Sequence, residues 1–209
     1  MNNSKQILTT GLLLMLFAII GSTLVGATYE GTKKQIAENE RRAMLRTLNN
    51  ILPANTYDND LINETITLYP DGRLGQTESS TAYQAKKENT VTAVILSVIA
   101  PDGYAGAIKL LVGIRANGTL AGVRVISHKE TPGLGDGIET KKSNWILGFN
   151  NASLDKPDLH GWQVKRDGGQ FDQLTGATIT PRAIVKAVHQ SLVYFKHNKQ
   201  TLLNTTADE

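Results

Sequence analysis

The chain has 209 residues, enough for a membrane anchor plus one compact domain with a full core. Its 40% hydrophobic and 20% charged content excludes wholesale disorder, and a net charge of +3, with basic residues mixed among acids, excludes a concentrated nucleic-acid-binding face. There are no cysteines, so thiolate iron–sulfur ligation, c-type haem attachment, cysteine nucleophiles and disulfides are all excluded, and any redox chemistry needs an organic cofactor or a His/carboxylate metal site.

Residues 1–6 form a short tail. Ile7 to Thr28 carry no charge, and their length matches the roughly 20 residues a helix needs to cross a bilayer core. The rival reading is a signal peptide cleaved near Val25-Gly26-Ala27. The apolar run exceeds the ~7–15 residues of a signal core, which favours a retained anchor. Charge alone leaves the orientation open. Lys5 precedes the span while Lys33, Lys34, Arg41 and Arg42 follow it, and a literal count keeps the C-terminal domain in the cytoplasm.

Residues 29–78 read as a juxtamembrane helix and a connecting segment. From Glu30 to Leu52, Ile36, Ala43, Met44, Leu48, Ile51 and Leu52 recur near helical spacing, and Pro53 ends the run. Asn55 to Gly75 is expected to be irregular, with Asn-Asp and Pro-Asp-Gly turn signals.

Residues 79–199 form the expected folded domain, with 200–209 as a C-terminal tail. Ala82 to Lys86 and Val91 to Ala100 flank a polar turn, Lys87-Glu88-Asn89-Thr90. Ile108 to Arg115 and Thr119 to Ser127 flank Ala116-Asn117-Gly118, a type I′ hairpin signal. Asp136 to Phe149 reads as a helical or irregular excursion, and Trp162 to Lys165 as a short returning strand. Pro181 to Lys199 is an amphipathic helix with Ile184, Val188, Leu192 and Phe195 on one face, Thr180 as N-cap and Pro181 in the first turn. The predicted fold class is α+β: a single N-terminal transmembrane helix, then an antiparallel sheet packed against helices.

Two glycine-bearing runs carry the candidate chemistry. The first, His128-Lys129-Glu130-Thr131-Pro132-Gly133-Leu134-Gly135-Asp136-Gly137, follows a strand. Its spacing is G-x-G-x-G, not the G-x-G-x-x-G of a dinucleotide loop, and no βαβ unit surrounds it. A plain Thr-Pro-Gly turn accounts for it equally. His128 and Glu130, without further histidines or any cysteine nearby, do not make a zinc site. The second run, Asp167 to Arg182, contains Asp172-Gln173-Leu174-Thr175-Gly176-Ala177-Thr178 and ends where the last helix begins. A helix N-terminus offers unpaired N–H groups and partial positive charge to an anion such as phosphate, and Lys165, Arg166 and Arg182 lie near enough in sequence to add counter-charge. A simple capping turn is the competing account.

The motif Asp172-x-x-Thr175-Gly176-Ala177-Thr178 resembles the flavinylation motif of the FMN-binding domain family, and Glu130-Thr131-Pro132-Gly133-Leu134-Gly135 resembles that family's other signature. Together with Ala100 to Gly106 and Thr180-Pro181-Arg182, the pattern is similar to the G subunits of bacterial Rnf (Rsx) electron transport complexes, and more distantly to the C subunits of sodium-translocating NADH:quinone reductases. The resemblance implies FMN joined through a phosphoester to Thr178 and installed by a flavin transferase. It implies a single-pass protein of the bacterial inner membrane whose soluble domain is periplasmic, against the literal charge count. It further implies membrane lipid, other integral-membrane and iron–sulfur subunits as partners, and electron relay between ferredoxin and the NAD pool rather than independent turnover. Expected flavin contacts are Thr175, Gly176, Ala177, Thr180, Asp172, His128, Glu130, Thr131, Pro132, Gly133, Leu134 and Gly135, with Trp145 near the ring and Lys165 opposing its charge. The alternatives are a non-catalytic assembly subunit and a hydrolase using His128 with Glu130 or Asp172. The hydrolase lacks any G-x-S-x-G elbow.

Overall fold

The computed structural model describes residues 3–204; residues 1–2 and 205–209, parts of the two expected tails, lie outside the described residues. The chain divides into two compact units, one up to Met44 and one from Leu45 onward.

From Asn3 onward the first unit is helical and belongs to one continuous helix, α1 (Asn3–Ile51). No break separates the anchor from the juxtamembrane stretch. No proline occurs before Pro53, and the helix absorbs Gly11, Gly21, Gly26 and Gly31 at about 1 kcal/mol each. Large apolar side chains such as Leu12, Leu14, Phe17 and Leu24 are exposed along it. Water tolerates such a continuous apolar surface poorly, whereas a bilayer matches it.

In the second unit, five strands form one antiparallel sheet in sequential order: β1 (Thr65–Leu68), β2 (Ser80–Lys87), β3 (Thr90–Ala100), β4 (Ile108–Arg115) and β5 (Leu120–Ser127). β1 falls inside the stretch expected to be irregular. It is a four-residue edge strand, Thr-Ile-Thr-Leu, too short to show a pattern. Turn chemistry also differs from expectation. Glu88 and Asn89 both take positive φ (51° and 62°), so the type I′ turn joins β2 to β3. At Asn117-Gly118 only Gly118 is left-handed (φ 90°), and the Gly118 amide donates to the Arg115 carbonyl at 2.8 Å. That is a three-residue loop with glycine at the left-handed position.

A long helix, α2 (Ile179–Leu203), covers one face of the sheet. Ile184, Val188, Leu192 and Phe195 are all buried, as the amphipathic pattern predicts. α2 starts at Ile179 with Thr178 at the N-cap position, two residues earlier than expected. Gln84 on β2 anchors the far end, its Nε2 donating to the Leu202 carbonyl at 3.0 Å and the Asn204 carbonyl at 3.1 Å. On the sheet, the paired glycines Gly113 and Gly122 leave room for Ile51 at the end of α1, since a Cβ on Gly113 would overlap the Ile51 Cγ2.

The segment between β5 and α2 has little regular structure. Short 3-10 turns occur at Gly135–Ile138, Trp145–Phe149 and Lys165–Asp167. The strand expected at Trp162 to Lys165 reduces to a single parallel bridge, Val164 to Phe171. What orders the segment is an aromatic cluster. Phe149 stacks on Phe171 with centroids 4.6 Å apart, meets Trp145 edge-on at 5.4 Å, and lies 6.4 Å from Trp162.

Candidate functional site

Both sequence motifs meet at the N-terminus of α2. A cleft of ≈ 560 Å³ opens there, within the range of a cofactor site. One wall comes from the loop after β5 (Glu130, Thr131, Leu134, Gly135) and the other from the turn into α2 (Gly176, Ala177, Thr178, Ile179, Thr180). Tyr104, from the β3–β4 loop, and the guanidinium residues Arg166 and Arg182 complete it.

Each wall has a local cause. On the α2 side the Ala177 amide donates to the Leu174 carbonyl at 3.0 Å, closing a four-residue turn with Gly176 at φ 77°. That position favours glycine, and a Cβ there would also lie 3.1 Å from Leu134 Cδ2. Gly176→Ala is therefore expected to cost about 1–2 kcal/mol and to displace the turn. A urea denaturation midpoint and the flavin-to-protein ratio check this; both should fall together.

On the β5 side, Thr131 opens a turn in which Leu134 and Gly135 both donate to its carbonyl, at 3.1 and 3.0 Å. Gly133 supplies positive φ (78°), and its amide donates to Asp136 Oδ1 at 2.8 Å. Glu130, only 4% exposed, joins three segments. Its Oε1 accepts from the Ala105 amide at 3.0 Å, and its Oε2 accepts from the Thr180 hydroxyl. A Cβ on Gly135 would approach Glu130 Oε2 to 2.8 Å, so glycine there makes space for the carboxylate.

The three threonines of the second motif are placed differently. Thr180 is fully buried and its hydroxyl is committed to Glu130. Thr175 is exposed in the turn and does not line the cleft. Thr178 is half-buried, lines the cleft, and its side chain makes no capping bond to the helix. The expected cap at Thr180 does not form, because that hydroxyl turns to a buried carboxylate instead.

The remaining expected contacts lie around the cleft without lining it. His128 Nδ1 accepts from the Glu130 amide at 3.0 Å, which puts the ring proton on Nε2, 2.9 Å from Glu139 Oε1. Pro132 and Gly133 are exposed at the tip of their turn. Lys165 Nζ pairs with Asp172 Oδ1 at 2.6 Å. The Asp172 carbonyl accepts from Trp145 Nε1 at 2.5 Å. Trp145 and Asp172 thus line a separate cleft of ≈ 550 Å³ and brace the second motif from behind.

Arg182 makes two 2.6 Å bonds to Asp167, and its guanidinium holds that carboxyl below the usual carboxylate range. Tyr104 and Ile179 lie inside runs that the sequence marks, Ala100 to Gly106 and Asp167 to Arg182, but are not among the expected contacts. Tyr104 is 69% exposed beside the cleft, a tertiary fact. With Leu134 and Ile179, both also exposed, it gives the cleft an apolar lining opposite its cationic end. The donor set fits FMN: guanidiniums and a helix N-terminus for phosphate, apolar side chains for a ring system, and a hydroxyl within the cleft.

Comparisons with known proteins identify the family. The model of the FMN-binding domain matches residues 103–193, and that of the RnfG N-terminal region matches residues 1–51. The chain is 49% identical over 199 residues to the G subunit of the ion-translocating oxidoreductase complex of Pseudomonas aeruginosa, covering 95% of this chain and 93% of the relative. It is 47% identical over 194 residues to the protein of the same name from Vibrio cholerae, covering 93% and 92%. A crystal structure of Shewanella oneidensis NqrC is similar with a TM-score of 0.49 at 21% identity, covering 71% of this chain and 76% of that one.

Proposed function

The chain belongs to the RnfG family, the G subunits of ion-translocating oxidoreductase complexes, and carries an FMN-binding domain, and we propose that it is the covalent-FMN electron carrier of such a complex. The observation that carries this reading is the cleft in which Thr178, with its uncommitted hydroxyl, faces the Glu130–Gly135 loop.

Attachment is a phosphoryl-group transfer. The Thr178 Oγ1 attacks the FMN-side phosphorus of FAD under a flavin transferase. An Oγ1–P bond forms, the pyrophosphate P–O bond breaks, AMP leaves, and the hydroxyl proton is lost. Thr180 is buried with its hydroxyl on Glu130, and Thr175 lies outside the cleft, which supports Thr178 as the attachment point. Arg166, Arg182 and the first amides of α2 supply positive potential for the phosphodiester. Tyr104, Leu134 and Ile179 would offer a bound ring system an apolar surface. Bound FMN supplies one-electron chemistry, and the protein supplies orientation and electrostatics. The covalent tether keeps a ligand that would otherwise dissociate from an open cleft at high effective concentration.

In this reading α1 is a single-pass inner-membrane anchor, lipid surrounds Ile7 to Thr28, and the domain faces the periplasm, where the transferase acts. Electrons pass between neighbouring redox subunits on the route linking ferredoxin and NAD. Co-expression with a flavin transferase tests the reading. Purified protein should be yellow and retain flavin after acid precipitation. Colourless protein would support the alternative, a non-catalytic assembly role.

A further inference from the structure

Two carboxylates are buried among the described residues, Glu130 and Asp136. Asp136 faces Lys142 Nζ at 3.4 Å and accepts from the Gly133 amide. Glu130 is different. Its described hydrogen-bond partners, the Ala105 amide and the Thr180 hydroxyl, are both neutral, and it forms part of the cleft wall. Nothing in the attachment chemistry uses it.

We propose that the Glu130 carboxylate is the charge that sets the electron affinity of the flavin in this cleft. The inference rests on reading the cleft as the FMN site. A carboxylate beside a group that accepts an electron opposes that electron, and the opposition is strengthened here because Glu130 itself is only 4% exposed.

Both described partners donate to the carboxylate: the Ala105 amide to Oε1 and the Thr180 hydroxyl to Oε2, as suits an ionised group. Other charged or titratable groups around it have defined places. Tyr104, Arg166 and Arg182 line the same cleft, with Arg182 committed to Asp167. His128, Lys129 and Asp136 share its loop, with His128 facing Glu139. Asp102, on the loop carrying Ala105, pairs with Lys186 at 2.7 Å. Glu130 is thus the unpaired negative charge of the cleft wall.

The test is a spectroelectrochemical titration of the full-length flavin-loaded protein across pH. In E130Q, whose amide can keep its oxygen on Ala105 and its nitrogen on Thr180, the potential at alkaline pH should rise. The expected change is tenfold or more in the reduction equilibrium, about 59 mV per decade for one electron. Thr180→Val keeps the charge, so its alkaline potential should stay near wild type. A flavin-loaded E130Q with the wild-type potential would overturn the inference. So would a T180V protein whose alkaline potential rises as in E130Q, because loosened packing would then be the cause. Absence of covalent flavin on the wild-type chain is a separate failure, of the cofactor reading itself.

Discussion

Thr178→Val should abolish covalent flavin completely while leaving the fold intact. The denatured protein should show no flavin fluorescence, against a bright band for wild type. The Thr178 side chain makes no capping bond, so its loss should change apo-protein stability by no more than about 0.5 kcal/mol. That small cost separates lost chemistry from lost structure. Thr175→Val provides the control: Thr175 is exposed and outside the cleft, and its variant should remain fully fluorescent.

Phe149→Ala should give the largest loss of stability. Phe149 is fully buried and touches three aromatic neighbours, Trp145, Trp162 and Phe171. Removing such a ring from a core costs about 3–5 kcal/mol, a large share of the 5–15 kcal/mol typical of a whole domain. For a domain of this size each kcal/mol lowers the Tm by roughly 2–4 °C, so a drop on the order of 10 °C is expected by circular dichroism. The effect should reach the site. Phe149 supports Trp145, whose indole N–H holds the Asp172 carbonyl, so flavin incorporation should fall as well. An unchanged Tm would show that the loop segment does not depend on this cluster.

Elements with strong periodicity were legible and those held by tertiary contacts were not. β3, β4 and β5 begin and end within a residue of the β-rich runs that predict them. The buried stripe of α2 is the one the 3.6-residue pattern identifies. β1 was missed because four residues give too little alternation, and its pairing with β2 comes from the sheet it joins. The type I′ turn was expected at Asn117-Gly118. The β2–β3 register instead places it at Glu88-Asn89, where asparagine tolerates positive φ but glutamate seldom adopts it.

The site was legible as motifs but not as geometry. Sequence marked Glu130 to Gly135 and Thr175 to Thr180. It could not assign one threonine hydroxyl to a buried carboxylate and leave another open to the cleft. The place of Tyr104 in the cleft was not legible for the same reason: the Ala105–Glu130 hydrogen bond, across 25 residues of sequence, brings its loop there. Trp145 and Lys165 hold the backbone and side chain of Asp172, contacts that sequence spacing does not show.

The central claim is the covalent bond at Thr178. Intact mass spectrometry with peptide mapping, on full-length protein made together with a flavin transferase, tests it most directly. The account predicts an added mass of FMN less water, confined to the peptide containing Thr178 and localised to that residue by fragmentation. An unmodified chain, or the same added mass on Thr175 or Thr180, would contradict it.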